Sequence, residues 1–193
     1  MANQSATAFG FRPLRNVGQA DHNAGLGEWM KASGSAAIYH HELTAMQATG
    51  YVISAGAGGG TLVGSLNGSF YTDPTTSKPT WSTYAPNVAA SDQVCLINDN
   101  PQTMFEMMTI RTDYTNPGSV GANADIVVGT GSTTSPFVSQ NSLGAVVGAT
   151  LATQMRILGL TRDTGHQDVA VAGSVWRVMI NEHILGNNVT GVA

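Results

Sequence analysis

The sequence predicts an all-β protein, an antiparallel β-barrel or sandwich of the jelly-roll kind with an extended N-terminal arm. Short β-branched and aromatic runs are separated by Gly, Asn, Pro and Ser turns, and helical periodicity is scarce. Near the end of the chain, Trp176, Val178 and Ile180 share one face, whereas Arg177 and Asn181 share the other. This period of two is typical of a half-buried strand.

We expect two parts, an arm over residues 1–34 and a β domain over residues 35–193. The first part holds Phe9, Phe11 and Leu14 but keeps neither a helical nor a strand period for long. Such a segment cannot bury these side chains by itself. It must therefore lie along another surface, either that of its own domain or that of a neighbouring subunit.

Beyond residue 34 the runs predict short strands, and two segments are ambiguous. Residues 42–48 could form two helical turns. Residues 142–154 could form a helix, but each of their glycines costs about 1 kcal/mol there, which favours strand or loop. Residues 72–91, rich in proline, predict a surface loop that carries Trp81 and Tyr84. The expected strands are 35–41, 51–55, 62–66, 93–98, 103–112, 124–128, 151–160 and a last run from 176 to 184.

Composition excludes several classes of protein. Hydrophobic residues make up 42% of the chain, which is too many for a disordered protein. Charged residues make up only 10%, and the net charge of −4 argues against a dedicated nucleic-acid binder. No apolar run is long enough to span a bilayer, and the first residues do not resemble a secretion signal. Cys95, the sole cysteine, lies in an apolar run and predicts a buried, inert thiol.

Motifs for ligands or catalysis are incomplete, so we expect no enzyme, cofactor or metal site. The glycine-rich run at 56–61 lacks the third glycine of a dinucleotide fingerprint and the lysine of a P-loop, and predicts a hairpin tip. His40 and His41 are adjacent, and on a strand adjacent side chains point to opposite faces. A shared metal, with a second half at Glu182 and His183, is therefore disfavoured.

Acidic residues and serines give no clear catalytic pattern either. A nucleophile elbow, Gly-x-Ser-x-Gly, is absent from the sequence. Asp73, Asp99, Asp163 and Asp168 all fall in predicted turns, where such side chains usually bond to their own backbone. A glycosidase pair among them stays open but is disfavoured.

Arg12 and Arg15 form the one cationic cluster, set between aromatic and aliphatic residues. One interpretation is a solvated charge pair at a loose chain end. The other is a docking arm, in which apolar side chains anchor and the arginines form forked bonds to a partner's carboxylates. The residues of this candidate site are Phe9, Phe11, Arg12, Leu14 and Arg15.

Several stretches resemble small virion proteins of tailed bacteriophages. They are Phe9-Gly10-Phe11-Arg12-Pro13, the run from Leu66 to Thr76, its continuation Lys78-Pro79-Thr80-Trp81, and Met155 to Leu160. The resemblance implies a capsid decoration, or cement, protein that lacks catalysis. It further implies a homo-oligomer, commonly a trimer, that is made in the host cytoplasm and sits on the outer surface of the virion. Its partner would be the major capsid protein, without direct contact with nucleic acid or membrane.

Three alternatives remain beside a cement protein. Another head or neck component would have the same motifs. A receptor- or glycan-binding module of a tail or spike would have the same composition and would expose Trp81 and Tyr84. A cupin-like enzyme would need histidines and a carboxylate that converge on one metal, and its His-x-His spacing is absent here.

Overall fold

The computed structural model describes residue 3 and residues 7–18, 25–57, 60–148 and 153–186. Within them the chain forms twelve strands and a single 3-10 helix, Thr164–His166, and no α-helix. The predicted all-β class is therefore confirmed. The strands are β1 Arg12–Asn16, β2 Gly27–Met30, β3 Leu43–Met46, β4 Val52–Ser54, β5 Leu62–Thr72, β6 Pro79–Ser82, β7 Val94–Asn98, β8 Thr103–Thr109, β9 Asn123–Val127, β10 Ser142–Gly148, β11 Met155–Leu160 and β12 Ser174–Ile180.

Five strands close into a barrel. Strands β8, β10, β9, β11 and β12 follow one another around it, and β12 pairs again with β8. The pairs are antiparallel except for a short parallel contact between Leu143 of β10 and Thr109 of β8. Strand β1 adds to the first half of β8, from Arg12 opposite Glu106 to Asn16 opposite Thr103.

The second sheet is antiparallel and has the order β2-β7-β5-β3-β4. Strand β5 is the longest, with 11 residues, and its far end also pairs with β6. An isolated bridge from Lys31 to Val52 connects the end of β2 to β4. This sheet thus curves around its own apolar interior.

Two apolar cores hold the fold together, and β3 and β5 contribute to both. Leu43 and Leu62 join the barrel core, whereas Met46 and Val63 join the core of the second sheet. The alternation of side chains along a strand sends neighbours to opposite faces, which explains why β3 is buried along its whole length. Trp176, fully buried in the barrel core, donates its indole N–H to Ser174 Oγ at 3.1 Å.

Several local predictions need correction. Residues 42–48 form no helix, because β3 is held between β4 and β5. Residues 35–41 form only isolated bridges, because Ile38 pairs with Ala85 and His40 pairs with Val138 of a different segment. The positive φ of His41, 59°, ends the extended run. The segment 72–91 contains β6 and is not loop throughout.

The glycine-rich run is no hairpin tip, since β4 and β5 lie on either side of β3. Its Gly58 and Gly59 lie outside the described residues.

The N-terminal segment lies along its own domain, the first of the two options open from sequence. Strand β1 pairs with β8 of the barrel and β2 pairs with β7 of the second sheet. Residues 1–34 therefore contribute a strand to each sheet, and their described part carries hydrogen bonds into both.

Candidate interaction surfaces

Phe11 is the inward anchor of the N-terminal segment. It is fully buried, and its ring stacks on Phe105 with centroids 3.9 Å apart and an interplanar angle of 17°. Its backbone N–H donates to His41 O at 2.7 Å, and its carbonyl accepts from Ser65 Oγ at 2.6 Å. Phe11 therefore ties β1 to both sheets and belongs to the core.

The neighbours of Phe11 reach the surface. The Arg12 guanidinium lies 4.7 Å from the centre of the Phe9 ring, a cation–π contact, and pairs with Glu106 at 2.5 Å. Half of the Arg12 side chain stays exposed. Arg15 is exposed and Leu14 is half-buried. Of the five residues predicted for docking, Phe9, Arg12 and Arg15 thus form one outward group, which we call the arginine face.

His40, His41 and the following Glu42 are held by ring contact and hydrogen bonds. The rings of His40 and His41 are in contact, with centroids 3.8 Å apart and an interplanar angle of 32°. The positive φ of His41 turns the chain, so the two side chains do not take the opposite orientation expected on a strand. Glu42, next in sequence, is buried and accepts from Ser54 Oγ and Tyr39 N, both at 2.5 Å. Burial raises the pKa of this carboxyl. Among the described residues, no group of His, Cys, Asp and Glu side chains is placed to hold a metal ion.

Cys95 and Lys31 are buried in the second sheet. Burial raises the pKa of the Cys95 thiol to about 12, so it stays a thiol at neutral pH, as its apolar run predicted. Burial also lowers the pKa of Lys31. The ammonium donates to the carbonyls of Ser35 at 3.0 Å and Pro86 at 3.2 Å, which fastens the chain beyond β2.

The turn carboxylates mostly bond to nearby backbone, as expected from sequence. Asp73 accepts from the N–H groups of residues 75 and 76, at 2.7 and 3.0 Å. Asp163 caps the 3-10 helix and Asp168 accepts from Ala170 N at 3.1 Å. Asp99 differs, because it accepts from the indole N–H of Trp29 at 2.9 Å.

A second candidate surface crosses the outer face of the second sheet. The registers place Met30 beside Val94, Val94 beside Phe70, and Phe70 beside Trp81. Directly paired residues project from the same face of a sheet. These four residues, which we call the outer row, therefore form one line across four strands. Phe70 and Trp81 are each 49% exposed and Met30 is 39% exposed.

The Trp81 indole extends over Gly68, which has no side chain. A Cβ at Gly68 would lie 2.5 Å from Cζ2 and 2.6 Å from Cη2 of the indole. The six-membered ring of the indole thus occupies the space above Gly68, and about half of Trp81 stays open to solvent. Tyr84, the other aromatic expected to be exposed, stacks on Phe137 with centroids 4.3 Å apart and is half-buried.

A third candidate is a surface depression of about 330 Å³ on the barrel, lined by Ile110, Thr112 and Val127. Arg111 and Asp113 pair across its rim at 2.9 Å, and both side chains are exposed. It offers apolar area but no convergent buried polar groups. The described part of the chain contains no helix of the length and hydropathy needed to cross a membrane.

Comparison with known proteins gives no assignment. No family model matches the chain, and neither a curated protein nor a solved structure matches it.

Proposed function

We propose that this protein is a virion structural protein, a capsid decoration protein that binds the major capsid lattice as an oligomer and stabilises a phage head. The observation that carries the proposal is the surface: large apolar side chains are exposed on a chain with only 10% charged residues. Contiguous exposed apolar residues, such as Phe70 and Trp81 in the outer row, mark interaction surfaces. The exposed set is Val17, Met30, Tyr51, Phe70, Trp81, Ile110, Val120, Val127, Val128, Val171 and Leu185.

In this proposal the arginine face contacts the capsid. Arg12 and Arg15 present planar guanidinium groups, which form forked bonds to carboxylates of a capsid subunit. Phe9 adds apolar contact beside Arg12. Phe11 contributes indirectly, because it anchors the start of β1 in the core, and half-buried Leu14 adds apolar area between the two arginines. Many copies on a closed lattice bind multivalently, so a weak contact at each site is sufficient.

Copy number in purified phage particles tests the assignment. Mass spectrometry would quantify this protein against the major capsid protein. Hundreds of copies per particle are expected for a protein on the lattice. A dozen or fewer would contradict the proposal and favour a neck or tail component, and complete absence from the particle would refute a virion role.

A binding test on undecorated capsids addresses the arginine face directly. We expect the double variant Arg12→Gln/Arg15→Gln to lose decoration while keeping its fold. Arg162→Gln is the matched control, since Arg162 is also exposed but lies in the turn after β11. Native occupancy of the double variant would refute the role of Arg12 and Arg15. Point variants are preferable to removal of residues 1–20, because that deletion removes Phe11 from the core.

A second candidate function, a receptor- or glycan-binding module of a tail or spike, is favoured by the half-exposed Trp81 beside the half-exposed Phe70. Aromatic faces of this kind stack on the apolar faces of sugars. A low copy number, together with saturable binding of oligosaccharides that Trp81→Ala abolishes, would favour this function over decoration. Metal analysis of the purified protein would test the remaining enzyme alternative, which requires a bound ion.

A further inference from the structure

The side chains of the outer row increase in bulk along the row, in an order that allows it to pack against the same row of a second copy. Across the sheet it runs from Met30 and the small Val94 to the bulky Phe70 and Trp81. Two such rows that face each other in the same order would place indole on indole and valine on valine, with a collision at one end and a gap near the other. In reversed order each bulky side chain meets a smaller or more flexible one.

We propose that the outer row binds the outer row of a second copy of this chain, in reversed order. A two-fold axis along the strand direction produces this arrangement. Trp81 of each copy then lies over Met30 of the other, and Phe70 lies over Val94. Methionine sulfur makes favourable contacts with aromatic rings, and sheets that pack face to face lie about 10 Å apart.

The charges that flank the outer row are compatible with this pairing. Glu28 lies two residues before Met30, and Asp92 lies two residues before Val94. In the reversed arrangement Glu28 lies opposite Thr83, the residue that follows β6. Asp92, which accepts from Thr72 N at 3.1 Å, lies opposite Thr72 of the other copy. Each acid therefore faces a neutral hydroxyl side chain rather than another acid.

The area of the outer row predicts a weak contact. A buried aromatic side chain removes about 150–250 Å² from water, so half-exposed Phe70 and Trp81 offer roughly 75–125 Å² each. A standard interface buries about 800 Å² on each partner. The pair should therefore form at high protein concentration, or where a lattice holds neighbours together.

The pairing adds a second contact to the proposed decoration function, and its location on a phage head rests on that function. A two-fold contact is isologous, since the same patch serves both copies. It can coexist with a three-fold contact of a decorating trimer if that contact uses another surface. Neighbouring oligomers on the head would then be connected by their outer rows.

Sedimentation equilibrium of the full chain, from about 10 µM to 1 mM, tests the pairing. The wild-type protein should show a mass that rises with concentration. Phe70→Ser/Trp81→Ser should weaken this association at least about tenfold, because bulky anchors dominate such contacts. Ile110→Ser is the matched control, since Ile110 is 50% exposed but lies just beyond β8 of the barrel. Association that the double variant leaves unchanged would overturn the proposal, as would a wild-type mass that stays constant to 1 mM.

Cross-linking tests the reversed order. Within one copy, residues 28 and 83 are three strand spacings apart, about 14 Å, whereas in the proposed pair they face each other. A short bismaleimide should therefore join two copies of Glu28→Cys/Thr83→Cys, and Glu28→Cys alone should give no covalent pair. Cys95 is fully buried and does not compete for the reagent. Absence of covalent pairs at concentrations where the wild type associates would overturn this geometry.

Two further outcomes separate the hypotheses. A protein that stays unassociated at 1 mM while an oligosaccharide quenches its fluorescence, in a manner lost with Trp81→Ala, would overturn pairing in favour of sugar binding. Copy number is independent of both assays. Hundreds of copies per particle with no pairing would refute the pairing alone, whereas pairing with low copy number would refute the decoration function alone.

Discussion

Replacing Phe11 by alanine should destabilise the whole domain. Phe11 is fully buried and stacks on Phe105 at 3.9 Å. Truncation of a core phenylalanine costs about 3–5 kcal/mol, and the lost ring pair is included in that range. At roughly 2–4 °C per kcal/mol for a chain of this size, Tm should fall by about 6–20 °C. The free energy of unfolding of a whole domain is about 5–15 kcal/mol, so the loss is a large fraction of the total.

Equilibrium unfolding in urea, followed by tryptophan fluorescence, measures this loss. Trp176 is fully buried in the same core and should report the transition. Phe9→Ala is the matched control, because Phe9 is only partly buried and its contact with Arg12 contributes about 0.5–1 kcal/mol. A loss below about 1 kcal/mol for Phe11→Ala would refute the conclusion that β1 belongs to the core.

Burial, with the charges of His40 and Arg12, lowers the pKa of His41 to about 3. Between pH 6.5 and 3 the unfolded chain therefore binds a proton at this histidine and the native state does not, so the free energy of unfolding falls as the pH drops through this range. His41→Asn, which tolerates the positive φ, should flatten this loss in acid-unfolding curves, and an unchanged pH dependence would exclude His41 as its cause. The buried Cys95 should react with a thiol reagent only as fast as the protein opens, so rapid labelling of the native state would contradict its burial. Gly68→Val should displace the Trp81 indole and strain the Ser82 carbonyl, which a Cβ would approach to 2.8 Å, and it should shift the Trp81 fluorescence to longer wavelength; an unchanged spectrum would show that the indole does not lie over Gly68.

Sequence predicted best the strands in which every second residue lines the barrel interior. The runs predicted over 103–112 and from 176 to 184 overlap β8 and β12, whose Phe105, Met107, Trp176 and Val178 belong to the barrel core. Strand β3 could not be found in this way. Its residues Leu43 and Ala45 face one core while Met46 faces another. A strand buried on both sides loses the alternation that marks a strand, and its helix-forming residues then favour the wrong prediction.

The candidate surfaces were predictable only in part. Trp81 was expected to be exposed, and it is. The outer row was not found, because it depends on the registers of four strands that are distant in sequence. The irregularity between Leu66 and Gly68 sets that register, since it determines which residues of β5 face outward. Local patterning contains no information on such an offset.

The N-terminal segment places a core residue and the residues proposed for binding next to each other in sequence. Because side chains alternate along β1 and the residues that lead into it, Phe11 points into the core while Arg12 points outward to Glu106 and solvent. The position of the arginine face is therefore fixed by the same hydrogen bonds and ring contact that hold Phe11. A freely moving arm would lose conformational entropy for each residue ordered on binding. An arm already paired with β8 avoids most of that cost, which suits the capsid contact proposed for the arginine face.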